Sequence, residues 1–197
     1  YKSSHYTIRS VKAFIDGALG SRGAALLEPY YDDTENCGLV LISTEQFKQN
    51  IELNLGEVFF WCQAAAEQMS LQNPVGGTII NVSSVGGVVA LPGQSAFCAA
   101  MAGVNAMTKT LATEWQDYGI RVLGLGSGLE REALETTTLR TFLPDGRAGH
   151  HRLPEHTITE GYELGQVAAY LASDASRHIS GTTVYAEGGW LADGYWQ

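Results

Sequence analysis

Cysteine is scarce and odd in number. Cys37, Cys62 and Cys98 are widely spaced, with no CxxC pair among them. That pattern excludes a disulfide framework, gives a structural zinc site no ligand pair, and points to a reducing, cytoplasmic setting. Positive charge is scarce too: 12 Lys and Arg stand against 21 Asp and Glu, for a net charge of -9. Such a chain repels phosphate backbones and anionic lipid heads, so nucleic acid and membrane surfaces are excluded as partners, and no Lys/Arg-rich run argues otherwise. No apolar stretch is long enough to cross a bilayer, and the polar segment Tyr1 to Ser10 lacks the apolar core of a signal peptide. Internal repeats and low-complexity linkers are absent as well.

What is present is a globular composition: 197 residues, 45% hydrophobic and 17% charged, enough for one compact domain with a sizeable core. Thr7 to Ile15 alternates as a strand does, Asp16 to Gly23 is a glycine-rich turn, and Ala24 to Glu28 suits a short helix. Pro29 to Cys37 reads as loop and Gly38 to Ile42 as a short buried strand. Thr44 suits a helix N-cap with Glu45 in the first turn, and apolar positions at three- and four-residue spacing carry one long helix to about Met69. Thr78 to Val82 and Arg121 to Leu125 are near-continuous apolar runs, as in a parallel sheet covered on both faces. A helix over Gln94 to Asp117 separates them, with Gly119 as its stop. A third helix, Gly165 to Ser173, and a last strand, Thr182 to Ala186, complete an alternation typical of α/β units with right-handed crossovers.

Specific motifs accompany this order. Asn54-Leu55-Gly56 with Val58-Phe59 looks like an NLxGVF segment with its glycine displaced, and Ile79 to Ser84 looks like a strand leading to a functional serine. Ala100 to Val104 stands where an SKAGV run would be, and Gly119-Ile120-Arg121-Val122 is an unaltered GIRV tetrad. Leu171-Ala172-Ser173-Asp174, Ile179-Ser180-Gly181 and Gly188-Gly189 follow as LASD, ITG and DGG signposts. In this order they resemble the back half of a short-chain dehydrogenase/reductase, over about residues 50–197.

The resemblance implies an α/β fold, a truncated Rossmann-like parallel sheet with flanking helices, and descent from oxidoreductases using NAD or NADP. In that family a tyrosine exchanges a proton with the substrate oxygen. A lysine one helical turn on lowers the tyrosine's pKa and holds the nicotinamide ribose. A serine hydrogen-bonds the substrate oxygen, and an asparagine supports a water relay. Ser84 matches the serine and Asn54 the asparagine, but the tyrosine and lysine positions hold Phe97 and Met101. Phenylalanine has no ionisable proton and methionine no charge or donor, so turnover by the family mechanism is not expected. Val82, Ser127 and Gly128 match positions that shape the cofactor pocket, with Ser127-Gly128 in place of the family's Pro-Gly and Leu123-Gly124 in place of its Asn-Ala. Glu132 stands where a threonine would meet the pyrophosphate, which a carboxylate repels.

The front of the chain lacks the TGxxxGxG and NNAG motifs. Gly17, Gly20 and Gly23 offer an alternative glycine loop through which phosphate could approach a helix N-terminus. Val11 to Tyr30, continuing through Asp32-Asp33 to Gly38-Leu39, is similar to an internal segment of a metal-dependent amidohydrolase, giving a division into residues 1–48 and 49–197 and the look of a chimera. Lys12 matches a metal-bridging lysine of that family, but its HxH motif and later ligands are missing, so no metal is expected. His150, His151 and His156 lack helix-face or strand-face spacing and read as a solvated loop.

Three functions fit: a degenerate dehydrogenase/reductase without turnover, an oxidoreductase that keeps cofactor binding with a different proton donor, or a noncatalytic interaction module. For the last, Phe59, Phe60, Trp61, Ala64 and Met107 offer an apolar face for homo-oligomerisation through the long helices, which pair across a dimer axis in the family. The Thr78 strand would otherwise expose an edge, so either the Thr7 and Gly38 strands pair beside it or the chain oligomerises or aggregates. A small-molecule ligand is the remaining expected partner.

Overall fold

The computed structural model describes residues 42–91, 94–130, 158–159 and 161–192. The chain separates into two compact units, Tyr1–Phe47 and Lys48–Gln197. The elements expected between Thr7 and Gly38-Leu39 lie outside the described residues, as does their pairing with the Thr78 strand.

The first described helix, α1 (Thr44–Ile51), begins one residue earlier than a Thr44 cap would place it. Ser43 is the cap: its Oγ accepts from Gln46 N at 3.1 Å while its own N–H donates to Gln46 Oε1 at 3.1 Å. This reciprocal capping box satisfies two donors that a helix end otherwise leaves free. The single long helix expected to Met69 is interrupted. A π-helical turn, Glu52–Gly56, separates α1 from α2 (Glu57–Leu71), and Asn54 sits inside that turn.

Three parallel strands form the sheet: β1 (Gly77–Ser84), β2 (Ile120–Ser127) and, after two short strands given below, β5 (Thr183–Ala186), in the order β1-β2-β5. The register runs Gly77↔Ile120 to Ser84↔Ser127 on one side of β2 and Gly124↔Thr183 to Ser127↔Ala186 on the other. The central β2 is buried along nearly its whole length, which is why its sequence is apolar without alternation.

Each face of the sheet carries its own core. Ile79, Ile120 and Val122 pack against Cys62 and Ala66 of α2 and against Leu111 and Ala112 of α3 (Ser95–Glu114). On the other face Leu123 and Leu125 pack with Leu171, Leu164 and Val167 of α4 (Gly161–Ala172). The connections β1-α3-β2 and β2-α4-β5 step the same way across the sheet with their helices on opposite faces. They are therefore of opposite hand, and the expected right-handed crossover holds for only one of them. The long connection between Gly128 and Thr183 permits this, because no short loop forces its helix onto the face that α3 occupies.

Helix α3 ends in a 3-10 turn at Gln116–Tyr118, and Gly119 at φ +66° stops it as expected, in a conformation that a Cβ would strain. A feature the sequence did not announce is a two-residue parallel pairing of β3 (Leu129–Glu130) with β4 (Ile158–Thr159), at the two ends of what reads as one continuous loop. Among the described residues no helix is long and apolar enough to cross a membrane.

Candidate active site

The carboxyl ends of β1, β2 and β5 form one row, with Ser84 opposite Ser127 and Ser127 opposite Ala186. In open α/β sheets this edge is where ligands bind. Ser84 closes β1: its Oγ accepts from Gly86 N at 3.2 Å and caps the 3-10 turn Val85–Gly87. Ser127 Oγ donates to Ser83 O at 3.4 Å, and Gly128 N donates to Ala186 O at 3.2 Å. Ser84, Ser127 and Gly128 are all buried and brought to the same end of the sheet. Val82 is two residues back on β1, and 61% exposed.

Helix α3 lies over this row. Phe97, Met101 and Asn105 are spaced by four residues and so share one stripe of the helix. Met101 is 6% exposed and packs with Ala100, Val104, Ile51, Leu55, Val58 and Phe97. Half-buried Phe97 also packs against the cluster of Val85, Leu91 and Trp190. The backbone at Met101 comes close to the turn after Ser84. A Cβ on Gly87 would stand 3.0 Å from Met101 O and 2.5 Å from Asn105 Nδ2, so this approach needs glycine.

Asn54 is bonded back to the last turn of α1. Its Nδ2 donates to Asn50 O and to Asn50 Oδ1, both at 3.1 Å. π-Helical turns of this kind occur frequently at functional sites.

Chemically, the described site offers hydroxyls and an amide but no ammonium at position 101 and no phenol at position 97. A thioether at 6% exposure supplies neither a charge nor a donor for ribose hydroxyls. The residues present at positions 97 and 101 therefore do not fit the ribose-holding and proton-donating roles that a bound nicotinamide would need. Gly17, Gly20, Gly23, Lys12, Glu132, His150, His151 and His156 lie outside the described residues. Among the described residues no three His, Cys, Asp or Glu side chains are grouped to hold a metal ion.

Sequence reasoning missed two polar networks behind this site. In one, Asn105 Nδ2 donates to the Tyr185 hydroxyl at 2.9 Å and Thr183 Oγ1 donates to Asn105 Oδ1 at 3.0 Å. Burial pushes the Tyr185 phenol up, and the Asn105 bond partly offsets this. The available signal was a lone asparagine on an otherwise apolar helix stripe. In the other network, Cys62 Sγ donates to Asn81 Oδ1 at 3.0 Å and Asn81 Nδ2 donates to Thr108 Oγ1 at 3.0 Å. These bonds tie α2, β1 and α3 together and satisfy a buried amide that would otherwise be costly.

The profile of a family described as enoyl-(acyl carrier protein) reductase matches residues 24–191, a range that begins inside the amidohydrolase-like segment. The chain is 34% identical over 148 residues to 3beta-hydroxysteroid dehydrogenase 1 of Eggerthella lenta, covering 75% of this chain and 56% of that protein. Among solved structures, a protein from Burkholderia xenovorans described as a short-chain dehydrogenase/reductase superposes with a TM-score of 0.66 at 28% identity, over 76% of this chain and 56% of its own. A 4-hydroxyisoleucine dehydrogenase, solved with NADH and succinate, superposes with a TM-score of 0.61 at 25% identity, over 76% of this chain and 61% of its own. The chain thus spans somewhat over half the length of these relatives. With a profile match over residues 24–191 and the sheet, helices and motif order in place, the chain belongs to the short-chain dehydrogenase/reductase family.

Proposed function

We propose that this chain keeps the family's scaffold without its turnover. It is a degenerate member in which the proton-transfer site has become part of the core. The observation that carries this reading is the α3 stripe, where Met101 is buried and Phe97 half-buried in apolar clusters beside Ser84. Family chemistry requires a phenol whose pKa is brought toward neutrality by a nearby ammonium. Lys109 is an exposed residue two turns further along α3, too far to serve position 97. The Tyr185 phenol bonds Asn105 and is shifted up, opposite to what an acid-base group near neutral pH needs. Any NAD or NADP bound at Ser84, Ser127 and Gly128 is, on this reading, held without reaction.

The test is a titration of the purified chain with NADH and with NADPH, by calorimetry or protein fluorescence, beside a turnover assay on a panel of ketones and aldehydes. The expected result is no turnover with either cofactor, and activity only after Phe97→Tyr and Met101→Lys are introduced together. Steady oxidation of NADH or NADPH by the unaltered protein would overturn the proposal.

A second reading, a noncatalytic dimerisation module, is favoured by the exposed aromatic face of α2. Phe60 is 56% and Trp61 73% exposed, and the rings of Phe59 and Phe60 meet edge to face at 5.9 Å. Sedimentation of the wild type and of Trp61→Asp distinguishes the two. A dimer lost in the variant supports the module, and a monomer in both removes it.

A further inference from the structure

Beside the candidate site, β2 has a gap in its side-chain surface. Gly124 and Gly126 face α3 in the same rows as Thr183 and Tyr185 of β5. A Cβ on Gly124 would stand 2.3 Å from Thr183 Oγ1, and one on Gly126 would stand 2.2 Å from Tyr185 Cδ1. Both β5 side chains thus lean across the bare backbone of the central strand. Their hydroxyls meet at one residue on the far side, Asn105 of α3. Tyr185 bonds one end of its amide and Thr183 the other.

We propose that Asn105, Tyr185 and Thr183 are positioning residues of the site, a latch through which β5 sets the rotation of α3 and hence where the side chains at 97 and 101 stand relative to Ser84. The proposal rests on the site reading given above. Three observations carry it. Asn105 is on the same helix stripe as Phe97 and Met101, so any rotation at Asn105 is transmitted to both. Its amide is gripped at both ends, and two bonds at separate atoms resist rotation where one would allow a pivot. On the β1 side the same stretch of helix rests on Gly87 and accepts a long bond from Ser83 Oγ to Met101 O at 3.5 Å. With the β1 side held by close backbone packing, the β5 side supplies the directional polar contact.

The experiment reads the position of residue 101 in the ligand-free chain, so its outcome is separate from that of the turnover assay. The chain has three methionines, Met69, Met101 and Met107, and methyl-labelled methionine gives one NMR signal for each. Assigning them by single Met→Leu variants, we expect Tyr185→Phe to move the Met101 methyl signal more than those of Met69 and Met107. Thr183→Val, which removes the hydroxyl bonded to Asn105 Oδ1, should move the Met101 signal in the same direction. A purely structural bond would lower the melting temperature in both variants while leaving Met101 no more shifted than Met69. That result would overturn the proposal. If Tyr185→Phe fails to fold, Thr183→Val, which preserves side-chain shape, gives the answer alone.

Discussion

Replacing Arg121 with methionine should remove a large share of the protein's stability, although the residue sits at the opposite end of its strand from the candidate site. Its guanidinium spans the gap between the sheet and the end of α4. Nη1 donates to Ser176 O at 3.0 Å and Ile179 O at 3.1 Å, and Nη2 to Thr78 Oγ1 at 2.9 Å and Leu171 O at 3.1 Å. Two of these acceptors keep another donor after truncation: Leu171 O has Ser176 Oγ at 2.8 Å, and Ser176 O has Ile179 N at 2.8 Å. The loss therefore falls mainly on the bonds to Thr78 and Ile179. At about 1.5–3 kcal/mol for each bond to a charged group, discounted for partial solvation, this amounts to about 3–4 kcal/mol. Methionine keeps most of the apolar stem, so lost packing adds little. For a chain of this size the melting temperature should fall by about 10 °C. Urea unfolding followed by circular dichroism is the assay, and the midpoint should drop with the slope unchanged. Arg121→Lys should recover less than half, because an ammonium cannot address both the sheet and the helix end as a planar fork does. A loss below about 1 kcal/mol for the methionine variant would refute the assignment of Arg121 as a clamp.

Gly126→Ala should destabilise by about 1–3 kcal/mol, since its Cβ would drive into the Tyr185 ring, and combining it with Tyr185→Ala should cost less than the sum of the two changes in a urea titration. Stability should decline as pH rises above about 9: burial raises the Cys62 thiol above its usual 9.0, so the unfolded chain releases this proton first and its ionisation favours unfolding. Below that pH the contribution of the neutral thiol is fully present, and Cys62→Ala should flatten the alkaline slope of the unfolding midpoint. Met101→Lys alone should cost a few kcal/mol by placing an unpaired ammonium in an apolar cluster, whereas Phe97→Tyr should be milder in the same thermal melts because position 97 is only half-buried.

Much of the architecture was legible because it depends on local pattern. The run from Arg121 to Leu125 reads as a buried strand, and lies within β2, because a strand covered on both faces has no reason to alternate. Gly119 marks the helix stop because only glycine takes that left-handed turn without strain. Boundaries moved by one to four residues. The helix read from Gly165 starts at Gly161, and the cap read at Thr44 is Ser43, since its hydroxyl is the one that reaches Gln46 N. The π-helical turn at Asn54 was not legible, because its residues also suit an ordinary helix.

The sequence by itself determined the family, the order of the three main strands and the helices between them, and which residues stand at the family's tyrosine and lysine positions. Those follow from residue identity at a counted spacing: thirteen positions from Ser84 reach Phe97, and four more reach Met101, whatever the chain does in space. Only the tertiary structure decided what fills that site and what holds it. Asn105 and Tyr185 are 80 residues apart and Arg121 is 58 from Ile179, separations that no periodicity encodes. Such pairs meet only once the sheet register places Tyr185 beside Gly126 and the absence of a side chain there lets its ring cross to α3.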